Sequence, residues 1–381
     1  MTKKKIRVLF VASWYPTKEN PVSGIFIERQ AIAVSKYCDV AVLHVNLCNE
    51  NEINISHDKG FLEVIVNKKK KSKLLNLIYY FIGHFQGYKI IKKQFGNFDL
   101  LHLHVIYPAG IFIFLLNLFS KKPYIISEHS TAYLDKNGIF ARYGIFKKSF
   151  IRLIASNAKA IITVSNFLKE SLEKNNITGK FYIIPNIVEL DNNNSIKRNS
   201  NRKKILHISL LRDSHKNVSG IIEAIKELDS RRQDFKLDIV GDGPGRNSLE
   251  KISRDFGLLD RKIIFYGRVA NIHNYLASCD FLVVNSNFET FCVVAAEALA
   301  CGKPVISTRC GGPEEFIDES NGILIDIGDK KALVSAIEYM LDNHDKYDAK
   351  QIRERAKNNF SSEMVSKKII QIYKEILNGF N

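Results

Sequence analysis

Two glutamates lie eight positions apart in a stretch that otherwise carries no charge, ETFCVVAAEALACG, which begins at Glu289 and includes Glu297. The runs on either side, CDFLVVNS and KPVIST, predict buried strands, and the segment between them predicts a crossover helix over 291–300 that Gly302 ends. Glu289 then lies on the loop before the helix, and Glu297 lies inside the helix. Three interpretations are open: a catalytic pair, metal ligands, or two unrelated residues, with Glu297 on an exposed helix face.

The start of the predicted helix offers a further kind of chemistry. The first amides of a helix have no partner within it, and the helix dipole makes this end positive, which suits a phosphate group. A sugar linked to a diphosphate would fit, with its phosphates on the amides and the two carboxylates accepting sugar and ribose hydroxyls. The spacing alone favours this interpretation and the structural one about equally.

The rest of the chain predicts a framework for such a site. Short β-branched runs alternate with helical patterns, in seven segments from IRVLFVAS to FYIIPN and then in six from KILHISL to GILIDI. This alternation is typical of βαβ units around a parallel sheet. We expect an α/β protein of two doubly wound, Rossmann-like domains that face each other across a cleft, with ligands at the carboxyl ends of the strands. The expected boundaries are an N-terminal domain at 1–188, a polar linker at 189–203, a C-terminal domain at 204–364, and a helix at 365–381 that packs back on the N-terminal domain.

The formal net charge of +16 is concentrated in one half of the chain. Residues 1–190 hold 27 Lys and Arg against 13 Asp and Glu, whereas the remainder holds 29 against 27. A basic half attracts polyanions, meaning nucleic acid, an anionic membrane surface or phosphate-bearing substrates. A well-solvated, lysine-rich surface is the other interpretation. Because no helix-turn-helix, zinc-finger or RNP-type pattern accompanies the charge, we expect no nucleic-acid partner and keep polyanion binding as an alternative function.

The cysteines and histidines do not predict a metal site. The six cysteines form no CxxC pair and are typical of reduced, buried thiols. His102 and His104 share one strand face without a third ligand at a recognisable spacing, which favours a structural role. The first apolar run is too short for a signal peptide, and the longest, 106–119, is shorter than the roughly 20 residues of a membrane span. These patterns predict a cytoplasmic protein.

Segment 68–95 combines lysines with an apolar repeat at helical spacing. The repeat consists of Leu74, Leu77, Ile78, Phe81, Phe85 and Tyr88. A basic amphipathic helix of this kind can lie on an anionic membrane surface. A core-packing helix with a solvated lysine face is an equally good interpretation.

Taken in order along nearly the whole chain, these motifs resemble the glycosyltransferases of family 4, retaining enzymes with a GT-B fold. ETFCVVAAEALACGKPVISTRCGGPEEFI resembles the E-x7-E region of that family. VASWYPTKENPVSGIFIERQA resembles its glycine-containing first loop, and ISEHS the segment with its active-site histidine. LDIVGDGPGRNSLEKI and IFYGRV resemble the second-domain strands that flank the nucleotide. The expected order of the motifs makes the resemblance more specific than any one of them.

The resemblance implies that the domain at 1–188 binds the acceptor and the domain at 204–364 binds the nucleotide sugar. It also implies a role for each matching residue. Glu289 would hold the hydroxyls of the donor sugar, Glu297 the ribose, and Lys216 would offset the charge on the β-phosphate as the leaving group departs. His129 would contact the donor sugar, although a strand-end histidine is by itself more often structural. The other implied donor-binding positions are the amides of Thr290, Phe291, Cys292 and Val293, the first-loop Gly24, and Arg268 and Val269 beside the base.

Two positions depart from the family pattern. The family carries an arginine shortly before the lysine, where this chain has Leu210 or Leu211, so Arg212 is a displaced candidate for that catalytic charge. The family usually has glycine at the position of Cys292, where a side chain would crowd the phosphates or shift the loop. These departures keep a catalytically inactive GT-B scaffold open as an alternative.

The activity that the resemblance implies is retaining, hexosyltransferase-type transfer from a UDP- or GDP-linked sugar to a hydroxyl of a glycan or lipid-linked acceptor. Bacterial cell-surface polysaccharide synthesis is the implied process. No D-x-D triplet occurs, so we expect metal-independent transfer, with the nucleotide sugar as co-substrate and no other cofactor. Many enzymes of this family act on lipid-linked acceptors at the cytoplasmic face of the membrane. We therefore expect peripheral contact of segment 68–95 with an anionic membrane there.

Overall fold

The computed structural model describes residues 5–134, 138–189 and 202–379. The side chains of Lys73 and Leu74 also lie outside the described part of the chain. The described residues form two compact units, the first from Met1–Ile187 and Ser362–Asn381 and the second from Val188–Ser361. Most of the segment expected as a linker, 190–201, lies outside the described residues.

The first unit is built on an eight-stranded sheet. Its strands are β1 (Arg7–Ala12), β2 (Asp39–Cys48), β3 (Glu52–Ser56), β4 (Leu62–Lys69), β5 (Leu100–His104), β6 (Tyr124–Glu128), β7 (Ala160–Thr163) and β8 (Phe181–Ile183). Their order is β3-β4-β2-β1-β5-β6-β7-β8, and all neighbours are parallel except β3 and β4. The central strands are almost continuously buried, because crossover helices cover both faces of a parallel sheet.

Six helices cover this sheet. They are α1 (Ile25–Ser35), α2 (Lys73–Gln94), α3 (Gly110–Ser120), α4 (Ile145–Asn157), α5 (Asn166–Lys174) and α13 (Ser362–Asn378). The strand order reverses between β1 and β5, so right-handed crossovers place α1 on one face and α2, α3 and α4 on the other. The C-terminal helix α13 packs against α1 and contributes Val365, Ile369 and Tyr373 to the core of the first unit. It begins three residues before the expected position.

The second unit contains six parallel strands in the order β11-β10-β9-β12-β13-β14. They are β9 (Lys203–Ile208), β10 (Phe235–Val240), β11 (Ile263–Gly267), β12 (Phe281–Val284), β13 (Val305–Thr308) and β14 (Gly322–Ile325). Its helices are α6 (Asp213–Lys216), α7 (Val218–Asp229), α8 (Arg246–Asp255), α9 (His273–Ser278), α10 (Val293–Ala300), α11 (Lys330–Asn343) and α12 (Ala349–Phe360). Two of these helices begin at a side-chain cap, α11 at Asp329 and α12 at Asp348. Asp329, for example, accepts from the amide of Ala332 at the start of α11.

The expected fold class, α/β with two doubly wound parallel-sheet domains, is confirmed. One strand was missed. The sequence predicted seven strands in the first half, and the structure adds β3, whose residues alternate between half-buried and exposed at the sheet edge. Such an edge strand has no continuous apolar run to mark it. Among the described helices, none combines the length and the apolar character that crossing a membrane requires.

Five fully or nearly fully buried histidines distinguish the first unit: His44, His84, His102, His104 and His129. Burial lowers the pKa of His44 to about 4 and the pKa of His84 to about 3. Burial also lowers the pKa of His102 and the pKa of His104 well below the ordinary value. The two ring nitrogens of His102 form hydrogen bonds with the hydroxyls of Tyr373 (2.7 Å) and Ser127 (2.8 Å), which fits the structural role expected for it. These histidines are therefore neutral at physiological pH.

We predict that the first unit loses stability as the pH falls from 7 to 5. In the unfolded chain each histidine takes up a proton near pH 6.5, whereas in the folded unit it stays neutral, so acid favours unfolding. His104 has no hydrogen-bond partner among the described residues, so His104→Phe removes one such group without breaking a bond. The variant should shrink the loss of unfolding free energy between pH 7 and 5 by about 2 kcal/mol.

Urea unfolding followed by tryptophan fluorescence measures this effect in the first unit, because the only tryptophan of the chain, Trp14, lies there. An unchanged pH dependence in His104→Phe would contradict the neutral state of this histidine.

Candidate functional site

The strand order of the second sheet reverses at its centre, between β9 and β12. The chain leaves β9 toward β10 and leaves β12 toward β13, so the loops after these two neighbouring strands diverge and open a crevice at their carboxyl ends. Lys216 follows β9 and Glu289 follows β12. The reversal therefore brings together two residues that are 73 positions apart.

Glu289 is held by three loops. The Lys216 ammonium donates a hydrogen bond to Oε1 of Glu289, and the Ser286 hydroxyl donates to the same oxygen at 2.7 Å. The Glu289 amide donates to the carbonyl of Cys310 at 2.8 Å, and its carbonyl accepts from the amide of Gly312 at 2.9 Å. The carboxylate is thus fixed in position before any ligand binds.

The Lys216–Glu289 pair borders the crevice. Burial lowers the pKa of the Lys216 ammonium, but the charge of Glu289 and its hydrogen bond outweigh burial, so the net shift is upward. Lys216 is therefore a cation at physiological pH. Its side chain is 24% exposed and that of Glu289 is 12% exposed. The pair offers a ligand one positive charge and one hydrogen-bond acceptor.

The helix next to this pair, α10, begins at an unusual backbone conformation. Cys292, directly before it, has a φ of +70° and a ψ of +73°, which lie in the left-handed region. The helix was expected from Phe291, and it begins instead at Val293 because the left-handed residue breaks the helical path. Burial raises the pKa of the Cys292 thiol well above its ordinary value. The side chain is therefore a neutral thiol, which adds no negative charge where phosphates are expected.

The loop before α10 is anchored on both sides. The Phe291 ring packs against Phe316 and Phe360, with ring centroids 5.3 and 5.5 Å apart. On the other side Gly312 touches the same backbone, and a Cβ there would lie 2.5 Å from the Phe291 Cα. The amides of Thr290 to Val293 are therefore part of a rigid turn, as electrostatic binding of an anion requires.

Glu297 lies inside α10 and is 3% exposed. The interpretation of Glu297 as an exposed helix residue is therefore wrong. A carboxylate in a helix that otherwise consists of alanine, valine and leucine is costly to bury unless it is paired or hydrogen-bonded. Glu297 thus contributes a buried acceptor to the same helix that begins at the Lys216–Glu289 pair.

The remaining candidates of the second unit lie at its surface. Arg212 is exposed at the start of α6, and its carbonyl accepts from the amide of Lys216 at 3.0 Å. Leu211, at the alternative position for the family's arginine, is fully buried in the core. Arg268 is exposed and Val269 half-buried directly after β11, the strand at the edge of the sheet.

Gly24 and His129 belong to the first unit. Gly24 has a φ of +66°, and a Cβ there would lie 2.7 Å from the carbonyl carbon of Trp14, so only glycine fits the start of α1. His129 packs against Phe26 with ring centroids 4.3 Å apart and the rings tilted by 32°, and burial lowers the pKa of His129 to about 3. Their roles toward a donor stay predictions.

A cleft of about 280 Å³ opens at the carboxyl ends of β1 and β2 in the first unit. Its polar lining is neutral, because hydroxyls and amides supply it and the one histidine, His44, has its pKa lowered by burial to about 4. Aromatic rings of Trp14, Tyr15 and Tyr80 form the rest of the wall together with aliphatic side chains. Neutral polar groups beside aromatic rings suit an uncharged polyhydroxy compound.

Sequence reasoning missed two residues that hold the candidate groups in place. Ser286 is the last residue of the predicted strand CDFLVVNS and lies two residues after the end of β12, and this strand-end position was the available signal. Glu128 is fully buried in the first unit and accepts from the amides of Ile106, His129 and Ser130 at 2.8–2.9 Å. An acid within the apolar strand YIISE was the signal for Glu128.

Two α/β units, each with a crevice where the strand order reverses, have the architecture of two-domain nucleotide-binding proteins. The family model described as glycosyl transferases group 1 matches residues 189–359, and the one described as Glycosyltransferase Family 4 matches residues 34–192. The chain belongs to the family 4 glycosyltransferases.

Individual relatives agree with this assignment. The chain is 28% identical over 345 residues to an uncharacterised glycosyltransferase of Methanocaldococcus jannaschii, covering 89% of this chain and 90% of the relative. It is 36% identical over 129 residues to the lipopolysaccharide core biosynthesis glycosyltransferase LpsD of Rhizobium meliloti, or 34% of this chain and 36% of the relative. HepE of Anabaena, solved with UDP and glucose, superposes with a TM-score of 0.74 at 17% identity over 97% of this chain and 100% of that protein. The fold is therefore GT-B.

We predict that Cys292→Gly is more stable than Cys292→Ala. Left-handed backbone costs a residue with a Cβ about 1–2 kcal/mol, whereas glycine loses about 0.5–1 kcal/mol more conformational entropy on folding. The free energy of unfolding of Cys292→Gly should therefore exceed that of Cys292→Ala by about 0.5–1 kcal/mol. Both variants lose the thiol, so the comparison isolates the Cβ. Equilibrium urea unfolding of the two proteins checks it, and an advantage for Cys292→Ala would mean that the backbone there is not left-handed.

Proposed function

We propose that this glycosyltransferase moves a sugar, with retention of configuration, from a nucleotide-diphosphate sugar to a hydroxyl of a glycan or lipid-linked acceptor. The observation that carries the proposal is the Lys216–Glu289 pair beside the N-terminus of α10, at the reversal of the strand order. A cation, an acceptor and a helix start in one crevice match the parts of a sugar diphosphate. HepE, which shares the fold, was solved with UDP and with UDP-glucose, and this supports a nucleotide-sugar donor.

In this mechanism the second unit binds the donor. The amides of Thr290 to Val293 and the positive end of α10 receive the diphosphate, and Glu297 accepts the ribose hydroxyls. Lys216 adds a positive charge that compensates the charge developing on the departing diphosphate, which is the step where such stabilisation speeds the reaction. Glu289 orients Lys216 and accepts hydroxyls of the donor sugar. Arg212 adds a positive charge at the border of the site. Arg268 and Val269 lie beside the base of the nucleotide.

We assign the acceptor to the first unit. The neutral cleft after β1 and β2 suits the hydroxyls of a sugar residue, and relatives named for lipopolysaccharide core synthesis support a cell-surface glycan. The six free cysteines fit the reducing cytoplasm, where nucleotide sugars are used. We propose metal-independent transfer, because Lys216 and the helix start supply positive charge at the position of the diphosphate.

We predict that Glu297→Ala weakens nucleotide-diphosphate binding by about 10- to 100-fold, because a hydrogen bond to a charged group contributes about 1.5–3 kcal/mol. Calorimetric titration with UDP, GDP and their sugars measures the effect and identifies the base. Glu297→Gln controls for loss of folding, since it keeps the side-chain volume. Glu319→Gln, at an exposed carboxylate of the same unit, should leave binding unchanged. If no nucleotide sugar binds the parent protein, the proposal fails.

We predict that Lys216→Met lowers kcat by about 100- to 1000-fold and changes donor affinity much less, because its charge acts mainly on the departing diphosphate. Lys331→Met, at an exposed lysine of the same unit, is the matched control. Transfer or donor hydrolysis is measured with the nucleotide sugar that calorimetry identifies. Equal losses in affinity and kcat would assign Lys216 to ground-state binding instead.

Two alternatives follow from specific observations. The excess of basic residues in the first half fits a polyanion-binding protein, which a salt-dependent gel shift with random RNA would reveal. The side chain of Cys292 and the displaced Arg212 fit an inactive scaffold. Tight nucleotide binding without turnover, restored by Cys292→Gly, would support the scaffold.

A further inference from the structure

The helix layer formed by α2, α3 and α4 exposes an unusual amount of apolar surface. Phe146 is 90% exposed, Phe119 85% and Ile145 72%. Single exposed hydrophobic residues are normal, but a contiguous set marks an interaction site. We name this set the apolar face. It comprises Leu75, Ile78, Ile82 and Phe85 of α2, Leu118 and Phe119 of α3, and Ile145, Phe146 and Leu153 of α4.

The three helices form one continuous layer. Phe85 of α2 packs on Phe112 of α3 with ring centroids 5.5 Å apart, and Phe114 of α3 packs on Phe150 of α4 at 5.6 Å. All three helices also lie on the same side of the first sheet, because each crosses in the same direction along it. The residues of the apolar face therefore belong to one packed helix layer on one side of the first sheet.

Basic residues predominate in the segments that form this surface. Residues 64–98, 100–127 and 138–165 contain 15 Lys and Arg and no Asp or Glu. Three of the four acids that flank these segments are used inside the unit: Glu63 accepts from Tyr15 and Lys59, Asp99 from the amide of Arg7, and Glu128 from three buried amides. The fourth, Asp135, lies outside the described residues. Several of the lysines, including Lys89, Lys93 and Lys121, are exposed.

We propose that the apolar face binds the surface of an anionic lipid bilayer, with its phenylalanines in the interface and its lysines on the headgroups. An apolar stripe bordered by basic residues is the composition that favours this position. Each lysine near an anionic surface strengthens binding. The proposal differs from the expectation for segment 68–95 alone, because the most exposed rings belong to α3 and α4. It does not depend on the transfer reaction.

The charge pattern argues against the other occupants of such a face. In a symmetric pair of this chain, the same basic face would meet itself, and like charges would oppose the contact. A bilayer with anionic headgroups supplies the opposite charge at its surface and an apolar acyl region directly below it.

Co-sedimentation of the full chain with vesicles tests the proposal, using phosphatidylcholine alone and phosphatidylcholine with 30% phosphatidylglycerol, a composition of about one anionic lipid in three. We expect binding to the anionic vesicles that weakens in high salt. Phe119→Asn with Phe146→Asn should reduce the partition coefficient by about tenfold or more, because two apolar rings leave the interface. Lys89→Gln with Lys93→Gln should reduce it by about tenfold on anionic vesicles only.

The control is Ile327→Asn with Tyr339→Asn, two exposed apolar residues of the second unit, which should leave binding unchanged. Both altered phenylalanines are largely exposed, so thermal unfolding should stay the same and separate lost binding from lost folding. Failure of the parent chain to bind, or equal losses in the phenylalanine and control variants, would overturn the proposal. Sedimentation velocity would also overturn it by showing a dimer that the phenylalanine variant abolishes while vesicle binding persists.

Discussion

The reversal of strand order in each parallel sheet is the constraint on which the remaining structure depends. In the second sheet, neighbouring strands β9 and β12 lead in opposite directions, so no helix can cover their carboxyl ends and a crevice must remain. A lysine after one strand and a glutamate after the other then meet across that crevice, although they are distant in sequence. The order of the strands thus brings these two side chains together, and the sequence only has to place each of them in the loop after its strand.

Rigidity around this crevice comes from backbone contacts more than from side-chain ion pairs. The Glu289 loop pairs with the loop after β13 through two backbone hydrogen bonds. Gly312 lacks a side chain and so lets these two backbone segments come into contact. The left-handed conformation of Cys292 is strained, yet it is maintained because Phe291 on its N-terminal side is locked into an aromatic cluster. Strain of about 1–3 kcal/mol is tolerated where the surroundings fix the backbone in this way.

Much of the fold was predictable from the sequence, and less of the site. Apolar runs with β-branched residues predicted all six strands of the second unit, because parallel strands are buried on both faces. β3 was missed, since an edge strand buries too little to need an apolar run. The family resemblance identified the glutamates and the lysine by position. It could not indicate that Glu297 is buried, that the Ser286 hydroxyl donates a hydrogen bond to Glu289, or that α10 begins two residues later than expected. These depend on φ angles and on contacts between loops remote in sequence.

Burial together with a position at the crevice, rather than ion pairing alone, distinguishes the Lys216–Glu289 pair from the exposed ion pairs of the second unit. Lys330 pairs with Glu223 through the same two groups as Lys216 with Glu289, but those side chains are 72% and 43% exposed. Water screens such a surface pair, and its contribution to stability is small. At 24% and 12% exposure, the Lys216–Glu289 pair keeps more of its field, and that field is directed into a crevice instead of into bulk solvent. An anion that enters the crevice therefore meets a cation already oriented by its partner.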